Sequence, residues 1–96
     1  MTTEISSNIS NIIDISSSIK NGYTPSVSGW VSVQTGQNGV THTLSINNVQ
    51  VASAYQYSGD SHGSESKQLM AIVGAGQTVK SSEYSLTKAL FIPFGV

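Results

Sequence analysis

From Gly29 onward, apolar and polar residues alternate in short runs separated by turn-forming residues. Trp30-Val31-Ser32-Val33-Gln34 alternates and is closed by the turn cluster Thr35-Gly36-Gln37-Asn38-Gly39. Val40, His42, Leu44 and Ile46 then fall on one side of a strand, with Thr41, Thr43 and Ser45 on the other. Asn47-Asn48 separates this strand from Val49–Tyr57. Because Asn tolerates positive φ, the pair predicts a two-residue hairpin turn. Ser58–Ser66 reads as an exposed polar loop. Leu69–Val73 is a short apolar strand closed by Gly74-Ala75-Gly76-Gln77, and Thr78-Val79-Lys80 is another. Ser81–Lys88 is ambiguous, and Ala89–Phe94 is the most apolar run in the chain. Six to eight short strands at regular spacing predict a mainly β fold, a small antiparallel sandwich or jelly-roll-like head over residues 22–96.

The pattern changes before Asn21-Gly22. Ile5, Ile12 and Ile19 are seven residues apart, and Ile9 and Ile15 fill positions between them. This heptad skeleton predicts a short coiled-coil helix over residues 1–21, with Lys20, Asn21-Gly22 and Pro25 as its stop signal. The Ser and Asn residues between the Ile positions are mediocre helix formers, so association would have to hold such a helix. Ile at core positions favours trimers or tetramers. In one of two registers Asn8 points to a trimer axis, where three copies would hold a water or an anion; the plain alternative is a solvated Asn. The rival for the whole segment is an extended β-rich strand.

Length strengthens the case for association. About 74 residues make a thin β core, and no Cys is present to staple it. The expected trimer interface is Ile5, Ile9, Ile12, Ile15 and Ile19 in the stalk, with Phe91 and Phe94 of the terminal run beside the same axis.

Composition then excludes several functions. Charged residues are 9% of the 96-residue chain, the net charge is −1, and Arg is absent. Four Lys residues make no phosphate-tracking surface, so no nucleic acid partner is expected. No apolar run approaches the roughly 18 residues of a membrane span, and the N-terminus reads as lacking a signal peptide. Ser, Thr, Asn and Gln supply 38 residues, which gives a surface of hydroxyls and amides.

Four stretches carry a resemblance: Gly29-Trp30-Val31-Ser32-Val33, Leu44-Ser45-Ile46-Asn47-Asn48-Val49-Gln50-Val51-Ala52, Gly76-Gln77-Thr78-Val79-Lys80 and Ala89–Phe94. In this order they resemble the trimeric head or tip domains of bacteriophage tail fibres and tail needles, over most of residues 22–96. The resemblance implies a non-enzymatic virion surface protein, assembled in the host cytoplasm, that recognises a host-cell glycan or protein. A capsid decoration or head-fibre protein, docked on other virion proteins by its N-terminal segment, is the alternative; a carbohydrate-binding module is a more distant one.

Candidate chemistry is sparse. Gly59-Asp60-Ser61-His62-Gly63 has the G-x-S-x-G form of a hydrolase elbow, but no His follows His62 to complete a triad, so it reads as a turn. Asp60, His62 and Glu65 are divalent-ion ligand types, yet their polar loop is more simply a solvated one, and no metal or cofactor is expected. The candidate ligand-contacting residues are Gln37, Asn38, Tyr55, Tyr57, Asp60 and His62, because aromatic rings beside neutral hydrogen-bonding groups suit sugars.

Overall fold

The computed structural model describes residues 11–57 and 66–94. Seven strands are present among them: β1 (Ile13–Asp14), β2 (Gly29–Thr35), β3 (Val40–Ile46), β4 (Val49–Gln56), β5 (Gln68–Val73), β6 (Val79–Ser81) and β7 (Leu86–Pro93). They form a four-stranded sheet in the order β1-β7-β2-β5 and a three-stranded sheet in the order β4-β3-β6. Every pairing is antiparallel.

Alternation decides what lies between the sheets. Val31 and Val33 of β2, Leu69 and Val73 of β5, and Ala89 and Phe91 of β7 turn inward from one sheet. Leu44 of β3 and Val79 of β6 meet them from the other. The β3–β4 hairpin turns at Asn47 and Asn48, whose φ angles are 49° and 68°. Both central residues are therefore left-handed, as a type I′ turn requires. The Asn47 side chain also joins the hairpin to β6, because its Oδ1 accepts the Thr78 N–H at 2.9 Å.

The N-terminal expectation is corrected over the described part of residues 1–21. No α-helix is present there. Ile13 and Asp14 pair with Phe91 and Leu90 as the edge strand β1. Ser16 extends this pairing through its hydroxyl, which accepts the Ala89 N–H at 2.8 Å. A single helical turn follows, closed by the Ile19 N–H on the Ile15 carbonyl at 2.9 Å. It puts Ile15 and Ile19 on one side, four residues apart, and both are completely buried in the head's own core. The Ser- and Asn-rich segment has little intrinsic helix propensity to oppose this, and the β7 edge offers backbone partners as well as a core.

Phe91, expected beside a trimer axis, is likewise a core residue of the single chain and packs on Tyr23 at 5.5 Å between ring centroids. The boundary drawn at residue 21 falls within a turn that is hydrogen-bonded to both sheets, since Ile15 N–H reaches Ala89 and Ser81 N–H reaches the Ile19 carbonyl. Ile5, Asn8 and Ile9 lie outside the described residues.

Candidate functional site

Two outer faces and one buried polar cluster hold the side chains that hydrophobic packing does not explain. The cluster lies at the β2–β3 end of the sandwich. Thr35 is fully buried; its hydroxyl donates to Gln56 Oε1 at 2.5 Å and accepts the Lys67 N–H at 2.7 Å. Gln56 Nε2 donates to Asn38 Oδ1, and the Gly39 N–H donates to the Gln56 carbonyl. His42 Nε2 donates to the Gln37 carbonyl at 2.9 Å, and Gln37 Oε1 accepts the Ser85 N–H at 3.1 Å. Tyr84 stands edge-on to the His42 ring at 5.9 Å. The cluster ties the β2–β3 loop to β4, to the start of β5 and to the approach to β7. Gln37 and Asn38, expected to contact a ligand, are thus also engaged in holding their own loop.

The outer face of the three-stranded sheet carries hydroxyls from Thr41, Thr43 and Ser53 beside the half-exposed Val51. Tyr55 and Tyr57 alternate onto it and are about half exposed, with their rings perpendicular at 5.4 Å. Thr41 lies opposite Tyr55 and Thr43 opposite Ser53, so hydroxyls flank the aromatic pair. Two phenol rings held edge-to-face beside neutral hydroxyls can stack on the apolar face of a sugar while hydrogen bonds fix its orientation. Asp60 and His62, the other expected contributors, lie outside the described residues.

The outer face of the four-stranded sheet is different. Trp30 of β2 lies opposite Ile72 of β5 and Ile92 of β7. Ser32 in the next outward row lies opposite Met70 and Leu90. Phe94 meets the Trp30 indole edge-on at 6.2 Å. Ile72 and Met70 are 54% and 48% exposed. The third row, Gln34 with Gln68 and Lys88, is polar. Together with Ser32 and Leu90 it lines a shallow groove of about 320 Å³. At the β1 edge Asp14 lies opposite Leu90. Its carboxyl is held below the usual carboxylate value, chiefly by hydrogen bonds from Ser16, with a smaller contribution from the Lys88 charge.

Phe94, expected beside a trimer axis, packs on Trp30 at this outer face, a surface that sequence reasoning did not identify. The available signal was the continuous apolarity of Leu69–Val73 and Ala89–Phe94. A strand with one solvated face alternates, whereas unbroken apolar runs mark strands with two apolar faces.

Comparison with protein-family models, with curated proteins and with solved structures finds no match. Among the described residues, no group of three or more His, Cys, Asp or Glu side chains is placed to hold a metal ion.

Proposed function

We propose that this chain is the head domain of a bacteriophage surface structure, a trimeric tail-fibre or tail-needle tip that binds a host-cell glycan without catalysing a reaction. The observation that carries the reading is the Tyr55–Tyr57 pair on an otherwise hydroxyl-rich sheet face. Such a face offers stacking area and neutral hydrogen-bonding groups with little charge, which suits a sugar. The sequence resemblance to phage tip domains supplies the biological setting.

Binding of the fluorescently labelled protein to bacterial cells, and to lipopolysaccharide extracted from them, tests this. Tyr55→Ala and Tyr57→Ala should each weaken binding at least tenfold while leaving the β circular-dichroism signal intact. Absence of binding across a panel of hosts, together with stabilisation of isolated capsids by the added protein, would replace the tip reading with the decoration reading.

A further inference from the structure

We propose that the shallow groove at the polar end of the four-stranded sheet binds an acidic sugar through its carboxylate. This second site extends the glycan reading to the opposite sheet and does not depend on the Tyr55–Tyr57 face. Strands β2, β5 and β7 build it. Gln34 lies opposite Gln68 on one flank and Lys88 on the other, and Ser32 lies opposite Leu90 in the next row. Ser66 and Lys67, just before β5, complete the lining.

Charge selects an anion. Two of the chain's four Lys residues line this groove, and no described Asp or Glu does. Asp14, at the outer edge of the sheet, feels the Lys88 charge but is held chiefly by Ser16. With Asp14 counted against the two Lys, the described groups leave one positive charge. One carboxylate matches that charge, whereas a sugar phosphate brings close to two negative charges at neutral pH.

The neutral groups select a sugar. Gln68 Nε2 donates to Ser32 Oγ at 2.8 Å, which leaves Gln68 Oε1 to accept and the Ser32 hydroxyl to donate. The Gln34 amide and the Ser66 hydroxyl add further donors and acceptors, and Leu90 offers an apolar surface to ring C–H groups. The groove holds about 320 Å³. That is near the roughly 300 Å³ lower end of ligand sites, room for about one sugar unit.

The groove is also preorganised. Both backbone groups of Lys67 are pinned to the fully buried Thr35: the Lys67 N–H donates to Thr35 Oγ1 at 2.7 Å, and the Thr35 N–H donates to the Lys67 carbonyl at 2.9 Å. Lys88 is fixed within β7 by its pairing with Gln34. The buried polar cluster thus sets one cation and the sheet sets the other, so little backbone ordering is left for binding to supply.

An NMR titration of the full chain with sodium glucuronate tests this, with glucose, acetate and glucose 6-phosphate as comparison ligands. Glucuronate should bind with a roughly millimolar dissociation constant and shift the amides of Gln34, Lys67, Gln68 and Lys88. Glucose and acetate should each bind at least tenfold more weakly. Added salt should weaken glucuronate binding, as it screens exposed charges. Lys67→Gln and Lys88→Gln should each weaken it at least fivefold. Lys80→Gln, on β6 of the other sheet, and Tyr55→Ala should leave it unchanged.

No binding of glucuronate, or binding that survives the joint Lys67→Gln and Lys88→Gln change, would overturn the site. Equal binding of glucose or acetate, or tighter binding of glucose 6-phosphate, would overturn the acidic-sugar assignment. Glucuronate binding without any binding to cells would remove the tip reading and leave this site standing. The shift map of the parent chain needs no variant, so a substitution that prevents folding does not block the test.

Discussion

The ring of Phe91 occupies the space that a side chain at Gly29 would need. A Cβ on Gly29 would lie 2.7 Å from Phe91 Cζ and 2.5 Å from the Ile92 carbonyl oxygen. Gly29 begins β2 between its neighbours Val73 of β5 and Pro93 of β7, so neither flank can open without breaking a strand pairing. Gly29→Ala should therefore destabilise by about 2 kcal/mol, as overpacking of a well-filled core does. For a chain of this size that is a fall in melting temperature of roughly 8–16 °C. Phe91→Leu in the same chain should rescue only part of the loss, because the Ile92 carbonyl is backbone and remains. Thermal melts of the two variants measure both effects.

Ile15 and Ile19 are core residues of the head, and this separates two accounts of the N-terminal segment. Truncating either to Ala should cost about 2–5 kcal/mol, the usual range for a buried Ile. The loss should be visible in urea unfolding at fixed oligomeric state, as an earlier midpoint with the slope unchanged. Had these residues belonged to a detached coiled coil, the same changes would have moved the association constant and spared the head. Deleting residues 11–21 should likewise unfold the β domain, since β1 and the buried turn leave with them.

How much of this was legible in the sequence follows from what each pattern encodes. The hairpin at Asn47-Asn48 and strands β2 to β5 could be read because alternation and turn chemistry are local. Ile19 belongs to the seven-residue series Ile5, Ile12 and Ile19, and Ile15 fills a position within it, so both read as a heptad, although their spacing of four fits one isolated helical turn as well as a long helix. What decided between them was the free edge of β7, some seventy residues away, which no local pattern announces. Alternation puts Tyr55 and Tyr57 on one face of the strand, but that this face is half exposed rather than packed is not legible locally. Gln37 was assigned outward from its place in a turn. Its internal bonds to His42 and Ser85 depend on which strands meet at that end of the sandwich. The outer apolar face is not legible because Trp30 and the Leu69–Val73 run lie far apart in the sequence. Their coincidence needs the register of β2 against β5.

Thr35 anchors the polar cluster with a hydroxyl that both donates and accepts. Thr35→Val keeps the shape but leaves Gln56 Oε1 and the Lys67 N–H without this partner in a buried site. The expected cost is about 1–3 kcal/mol, the desolvation penalty of polar groups left unsatisfied. Amide hydrogen exchange at Lys67 should accelerate by more than the global loss accounts for, because that amide loses its own acceptor.

Asp14 should report the integrity of the β1 edge. Hydrogen bonds from Ser16 lower its pKa in the folded chain, so the folded state favours the carboxylate. The corresponding stabilisation is present above the unfolded carboxyl value, 3.8, and is lost as pH falls through the lower folded value. Ser16→Ala removes the hydroxyl but keeps the amide, so the Asp14 titration should move up only part of the way towards 3.8. An NMR titration of the side-chain carboxyl carbon checks this. An unchanged Asp14 curve in Ser16→Ala would assign the whole effect to the backbone amide and the Lys88 charge.

Asn47 and Asn48 both hold left-handed conformations, yet they should respond oppositely to Gly. Asn48 has a φ of 68°, a region where Gly meets no steric cost and which type I′ turns favour at their second position. Asn48→Gly should thus be neutral or stabilising by a few tenths of a kcal/mol, the lost strain being offset in part by the entropy of the unfolded chain. Asn47 gains the same freedom on substitution but loses its Oδ1 bond to the Thr78 N–H, which fixes the hairpin to β6. Asn47→Gly should therefore destabilise by about 1 kcal/mol, the usual net worth of such a bond. Urea midpoints of the two variants should fall on opposite sides of, or in one case level with, the parent. If both fell below it by the same amount, the contact between Asn47 and Thr78 would contribute nothing beyond turn geometry.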